Sequence, residues 1–304
     1  MKKNVKVIFI TLLFFIVIIL CLFYFKNKLV SNNEKKEMKV ATTIFPLFDI
    51  TRNIVGDKIE VVNMLPSGAS PHTFSLRPKD VKKLNQTKVI FVIGEIDDWI
   101  QEAATSLDGV EIYPVNERIN LKPFHSHHHL EESHHNSFDP HYWLSLDNAK
   151  IIAENITEKL SLIDPQNREY YQKNLESYLN EIENTRAQII DLLDNLSNRN
   201  MIVFHDSWNY FADEFDLNIV GVFTPSPGKE PSPEYLKNLY DTAKKYNIKA
   251  VFSEPQLSSE VINSFIEDLG LKVYVIDPLG GRNLQDTYLK TMLSNAQIIY
   301  QALK

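Results

Sequence analysis

The chain has 304 residues, of which 44% are hydrophobic and 23% charged. That is the composition of a globular protein, long enough for roughly two domains. With 32 basic and 39 acidic side chains its net charge is −7, which argues against a nucleic-acid binder with a basic face and suits a protein that handles cations.

Residues 1–26 carry Lys2, Lys3 and Lys6, then an unbroken apolar run from Val7 to Phe25. A run of that length is enough to cross about 30 Å of hydrocarbon as a helix. It exceeds the roughly 7–15 apolar residues of a signal peptide, and no small-residue cleavage site accompanies it. The reading favoured is an uncleaved anchor that holds the rest of the chain at the outer face of the membrane, with its basic end inside. Cys21 keeps a lipoprotein reading open, although Ile18, Ile19 and Leu20 lack the small residue expected just before such a cysteine. Cys21 is the only cysteine, so the exported part has neither a disulfide nor a thiolate metal site.

After a polar linker over 27–37, short β-branched runs alternate with helical patterns. Strands are expected over Met38–Phe45, Ile59–Leu65, Lys88–Gly94 and Val110–Val115, with helices over Leu47–Val55, Lys79–Asn85 and Asp98–Ser106. The pattern then repeats. Strands are expected over Met201–His205, Ile219–Phe223, Lys249–Glu254 and Lys272–Asp277, with helices over Tyr210–Phe215, Ser232–Tyr246, Ser258–Leu269 and Thr287–Leu303. Such alternation predicts an α/β fold of two lobes, each a mainly parallel four-stranded sheet flanked by helices. Between the halves, "DPQNREYYQKNLESYLNEIENTRAQIIDLLDN" has apolar residues at helical spacing with no internal glycine or proline. Asp164 is a plausible N-cap and Pro165 fits the first helical position. The expected organisation is an N-terminal lobe over 38–163, one long rigid helix over 164–197 and a C-terminal lobe over 198–304.

The nine histidines fall into two sets. His125, His127, His128, His129, His134 and His135 sit in a polar insert over 122–138. That insert has no apolar period to fold on and is expected to be a mobile loop that binds metal only weakly. His72 follows a strand in "SGASPHTF", His141 precedes a helix in "DPHYWL", and His205 ends the strand "MIVFH". Glu254 and Asp277 also end strands, each before a proline. In α/β sheets ligands bind beyond the carboxyl ends of strands, so these residues are placed to face a cleft between the lobes. Three imidazoles with one carboxylate suit zinc. Asp277 and Glu254 compete for the fourth position, and Glu254 could equally orient a histidine ring. No hydrolase or nucleotide-binding motif is present. A set of three histidines and Asp277 fills a tetrahedral site, which favours binding over catalysis.

The motifs "GASPHTFSLRPKDVKKL", "DPHYWLS", "HDSWNYF", "FSEPQ" and "DPLGG", in this order, resemble the metal-binding subunits of bacterial ABC importers. These are the solute-binding proteins for zinc and manganese, and the likeness, closest to the zinc-uptake branch, runs from about Met38 to Lys304. A His-rich insert before "DPH" is a further feature of that branch. The resemblance implies two lobes joined by a backbone helix, with one metal between them on His72, His141, His205 and Asp277. It implies Zn2+ as cargo, with Mn2+ the alternative where a carboxylate replaces His205. It also implies a monomer that performs no chemistry, delivers its ion to a membrane permease and has no nucleic-acid partner. Ser70 departs from the acidic residue common there, and the N-terminus lacks a clean lipoprotein signal. A surface zinc-dependent hydrolase and a metal-stabilised adhesion protein are the alternatives from other classes.

Overall fold

A computed structural model describes residues 38–123, 138–224, 231–256, 263–283 and 285–304. The apolar run Val7–Phe25, and with it the expected anchor, lies outside the described residues, as do the six histidines of the insert. Among the described residues no helix is long and apolar enough to cross a membrane.

The first half contains β1 (Lys39–Thr42), α1 (Phe45–Val55), β2 (Glu60–Asn63), α2 (Pro78–Leu84), β3 (Val89–Val92), α3 (Trp99–Ala103) and β4 (Glu111–Pro114). After the insert come α4 (Leu146–Ile163) and α5 (Arg168–Asp194). The second half contains β5 (Asn200–His205), α6 (Asn209–Glu214), β6 (Asn218–Thr224), α7 (Pro233–Lys245), β7 (Ala250–Ser253), α8 (Asn263–Leu269), β8 (Lys272–Val275) and α9 (Tyr288–Leu303).

The strands form two four-stranded sheets in the orders β2-β1-β3-β4 and β6-β5-β7-β8. Every pairing is parallel. The two-lobed α/β expectation is therefore met, although the strands are shorter than their β-branched runs. The first stops at Thr42, because Pro46 occupies the first turn of α1 and fixes a helical φ there. Each sheet has its own core: Ile90, Leu84 and Ile100 lie in one, and Phe204, Phe223 and Val251 in the other.

The long helix begins later than its sequence signal. Pro165–Asn167 forms a 3-10 turn, and the Asp164 carboxylate accepts from Asn167 and Tyr171 instead of capping the helix. At about 1.5 Å per residue the 27 residues of α5 extend about 40 Å. Its buried stripe, including Tyr171, Tyr178, Ile182 and Ile189, packs on α1, α4 and α9. The C-terminal helix thus returns to the connector and to the first helix. Tyr288 N donates to Asp49 Oδ2 at 2.8 Å, and Tyr288 Oη donates to Trp143 O.

In each sheet the strand order reverses beside the first strand, between β1 and β3 and between β5 and β7. Such switch points open a crevice beyond the carboxyl ends of the strands. His205 ends β5 and Glu254 follows β7 at one of them.

Candidate metal centre

Two loops and the end of a strand bring imidazoles to the cleft. His72 lies in the segment after β2, where Gly68 takes φ +78° and Thr73 N closes a turn on Ser70 O. His141 follows the insert, whose neck is closed by an antiparallel bridge between Pro123 and Phe138. His205 is the last residue of β5. The ring centroids are 4.9 to 5.5 Å apart, and the His205 ring stands nearly perpendicular to the other two. One ring nitrogen from each histidine lies within 4.8 Å of the other two.

The separation fits an ion. Zinc–nitrogen bonds of about 2.0–2.1 Å in a tetrahedron put donors about 3.3 Å apart, and His72 Nε2 lies 3.4 Å from His141 Nε2.

Carboxylates set the direction of two rings. Asp139 Oδ1 accepts from His141 N at 3.0 Å and faces His141 Nδ1 at 2.8 Å. Glu254 Oε2 lies 3.4 Å from His205 Nδ1, while Oε1 accepts from Ser207 Oγ at 2.7 Å and from Trp208 Nε1 at 3.1 Å. Each Nε2 is thereby aimed at the shared centre, in the way that outer carboxylates orient metal-ligating imidazoles. His205 Nε2 is buried and has no hydrogen-bond partner in the protein. Electrostatics differ from ring to ring. Burial, with the charges of His141 and His205 adding, pushes the His72 imidazole well below its ordinary value. Burial also pulls His205 down, but the Glu254 carboxylate, helped by Asp206 and Asp139, outweighs it and the net direction is up.

The centre lines a cavity of about 210 Å³, walled on its apolar side by Ile96, Trp143, Pro278 and Leu279. Trp143 Nε1 donates to Pro278 O at 2.8 Å, pinning the "DPLGG" turn against the segment that carries His141.

The structure gathers His72, His141 and His205, and Glu254 stands behind His205. Asp277 is not in the group. Its Oδ1 accepts from Leu279 N and Gly280 N at 3.0 Å each and from Gln256 Nε2 at 3.2 Å. The carboxylate shapes a turn in which Gly280 and Gly281 take φ of +73° and +72°. A Cβ on Gly281 would stand 2.3 Å from the Phe45 ring, so only glycine allows this approach.

Sequence reasoning left Asp139, Asn209, Tyr210 and Gln256 without roles. Asn209 Nδ2 reaches Asp139 Oδ2 at 3.1 Å and Asp206 Oδ1 at 2.8 Å, and Tyr210 Oη donates to Asp139 O at 3.0 Å. The adjacent His205, Asp206 and Ser207 do not form a nucleophilic triad, because Ser207 Oγ donates to Glu254.

The model of the ZnuA family, described as zinc-uptake complex component A, periplasmic, matches residues 40–302. The chain belongs to the ZnuA family. Among relatives of this ZnuA-family chain, the zinc-binding protein AdcA of Streptococcus pyogenes serotype M3 is 28% identical over 262 residues, 81% of this chain and 51% of the relative. The chain thus spans about half the length of the streptococcal relatives it matches first. The high-affinity zinc uptake system protein ZnuA of Bacillus subtilis is 27% identical over 289 residues, 90% of each chain. A crystal structure of ZnuA superposes with a TM-score of 0.79 at 28% identity, covering 88% of this chain and 99% of that one.

Proposed function

We propose that this chain is an extracytoplasmic high-affinity zinc receptor of an ABC importer, which holds Zn2+ between its lobes and delivers it to a membrane permease. The observation that carries the reading is the convergence of three histidine nitrogens within 4.8 Å, two of their rings being held by Asp139 and Glu254. His72, His141 and His205 are the protein ligands, and an all-imidazole protein set favours zinc over the harder manganese ion. Similarity to a zinc-binding protein and to a zinc uptake system protein supports zinc as cargo. The receptor acts as a monomer with an N-terminal lobe over 38–163, a connector over 164–197 and a C-terminal lobe over 198–304. It is held at the outer face of the membrane by residues 1–26, as an uncleaved anchor in preference to lipidation at Cys21. The six histidines of the insert supply weaker additional binding.

Calorimetry on untagged protein tests this reading. The expected result is one tight zinc site, lost in His205→Ala and kept when residues 125–136 are deleted. Absence of a tight site in the intact protein ends the receptor reading. Three imidazoles with room for a fourth ligand also describe a hydrolytic zinc site, which needs a general base beside the metal. Glu254 Oε2 faces His205 Nδ1, on the side of the ring away from Nε2, and its Oε1 accepts from Ser207 and Trp208, which disfavours that role for Glu254. Chelator-sensitive hydrolysis of a phosphoester or lactam is the outcome that would restore it.

A further inference from the structure

The two ends of the insert meet at a neck just before His141. Pro123 and Phe138 form an antiparallel bridge, which sets Lys122 opposite Asp139. In a hydrogen-bonded antiparallel pair, opposed residues exchange two backbone bonds. Here one is direct, from Asp139 N to Lys122 O at 2.8 Å. The other is relayed: Lys122 N donates to Tyr210 Oη at 2.9 Å, and Tyr210 Oη donates to Asp139 O at 3.0 Å. A phenol hydroxyl both accepts and donates, so it can stand in that place. Tyr210 is buried near the start of α6, the helix that follows the strand ending in His205. The same helix holds Lys122 a second time, because the ammonium pairs with Asp213 and lies 5.0 Å from the centre of the Tyr210 ring. On the other side of the relay, Asp139 Oδ1 accepts from His141 N and faces His141 Nδ1. The rung that Tyr210 completes is therefore the last one between the insert and an imidazole of the centre.

Resting on the receptor reading, we propose that Tyr210 is a positioning residue that insulates the metal centre from the insert. Its hydroxyl closes the neck against α6, so Asp139 and His141 keep their places whatever the insert does. A direct bond from Lys122 N to Asp139 O would also close the neck, but it would not tie the neck to the segment that carries His205. Residues 124–137 lie between the bridged ends. Closing a connection costs more as it lengthens, by a factor of about three for each doubling. Without Tyr210 Oη that cost falls on the direct bond, the bridge and a contact from Phe138 N to Glu95 Oε1 at 3.4 Å. Opening the neck displaces Asp139, and His141 then loses the carboxylate that orients its ring.

Zinc affinity and amide hydrogen exchange test this across the parent, Tyr210→Phe, the protein lacking residues 125–136, and that shortened protein with Tyr210→Phe. Shortening joins the bridged ends through Phe124 and Ser137 alone, the length of a tight hairpin turn. By itself it should leave the tight zinc site unchanged. Tyr210→Phe keeps the ring and removes the hydroxyl. With the insert present it should weaken zinc about two- to tenfold, the range of one neutral hydrogen bond. In the metal-free protein the Asp139 amide should exchange faster by a similar factor. Both effects should largely vanish in the shortened protein, where the turn itself holds the ends together. A hydroxyl that served only packing would cost the same in both backgrounds, so equal losses overturn the proposal. It also falls if Tyr210→Phe leaves zinc affinity unchanged with the insert present, or if shortening alone weakens the site. Exchange at Asp139 needs no metal: absence of a tight zinc site ends the receptor reading, whereas unaltered exchange in Tyr210→Phe ends the role of Tyr210.

Discussion

Two of the three imidazoles are built into the fold, and the third is brought to them. His141 and His205 are 1% and 7% exposed, and each has a carboxylate on its Nδ1 side. Their segments are also joined across the lobes, because Asn209 and Tyr210 of α6 bond to Asp139 just before His141. His72 instead lies on the loop after β2 and is the most exposed of the three residues, while its ring turns inward onto the other two imidazoles. Among the described residues no carboxylate holds its Nδ1. Orienting a ligand before binding removes an entropic cost from the binding step. Under the proposed zinc reading, the pair therefore supplies a prepared half-site, and His72 completes it.

The largest effects should follow from removing the prepared ligands. Structural zinc sites bind with about 10–16 kcal/mol spread over their ligands, so His141→Ala or His205→Ala should weaken zinc by roughly a hundredfold to a thousandfold. His72→Ala should cost less, because the half-site stays intact. Competition with a chelator of known affinity measures all three, and an equal or larger loss in His72→Ala would erase the distinction drawn above.

Next come the carboxylates behind the rings. Asp139→Ala should weaken zinc about 10- to 100-fold, the usual cost of losing an outer partner. Glu254→Ala should do the same and also lower stability by about 1–3 kcal/mol, since Ser207 Oγ and Trp208 Nε1 lose their buried acceptor. Paired affinity and denaturant measurements separate the two effects, and a variant that loses stability but not affinity would reduce Glu254 to a packing role.

The direction of each pKa shift sets the response to pH. Zinc binds neutral imidazole, so a proton on His205 competes with it. Because Glu254, Asp206 and Asp139 together outweigh burial and raise His205, affinity should begin to fall above the ordinary imidazole value of about 6.5. The loss should approach about tenfold per pH unit for each proton displaced. Glu254→Gln removes the chief raising charge and should move the onset to lower pH. In the metal-free protein the raised His205 stabilises the fold below its unfolded value, and that contribution fades as pH rises through its folded value. The depressed His72 works the other way, costing stability as pH falls below its unfolded value. Calorimetry from pH 5 to 8 checks the onset, and an unmoved onset in Glu254→Gln would dissociate His205 from its carboxylate.

Much of this was legible in the sequence, for reasons that can be stated. Parallel strands buried on both faces read as continuous apolar runs, as in "VIFV" and "AVFS". His205 and Glu254 could be placed because the strand ends themselves are visible. What was not legible depends on contacts over long sequence separation or on backbone donors. Asp277 is read as a ligand because a carboxylate beside two glycines is free to approach an ion. That its Oδ1 also accepts from Leu279 N and Gly280 N could not be read, because those are groups every residue has and no residue type reveals. Asn209 and Tyr210 reach Asp139 across about 70 residues of chain, and no local pattern announces that pairing. Asp139 was the one partner within reach, two residues before His141, where an Asx turn onto the histidine is a local signal.

The smallest predicted effect bears most directly on the comparison. Asn209 is 8% exposed and donates to both Asp139 and Asp206, so Asn209→Ala should cost about 1–2 kcal/mol of stability, within the range for a lost buried hydrogen bond. Its effect on zinc should be less than about tenfold, because Asp139 still holds His141 Nδ1. The informative quantity is the coupling. If Asn209 joins the segments of His141 and His205, a double-mutant cycle of Asn209→Ala with His141→Ala should give an interaction energy in zinc binding of about 0.5 kcal/mol or more. The same cycle with His72→Ala should be additive. Coupling to His72 of equal size would mean that the three imidazoles form one unit and that the prepared half-site has no separate existence.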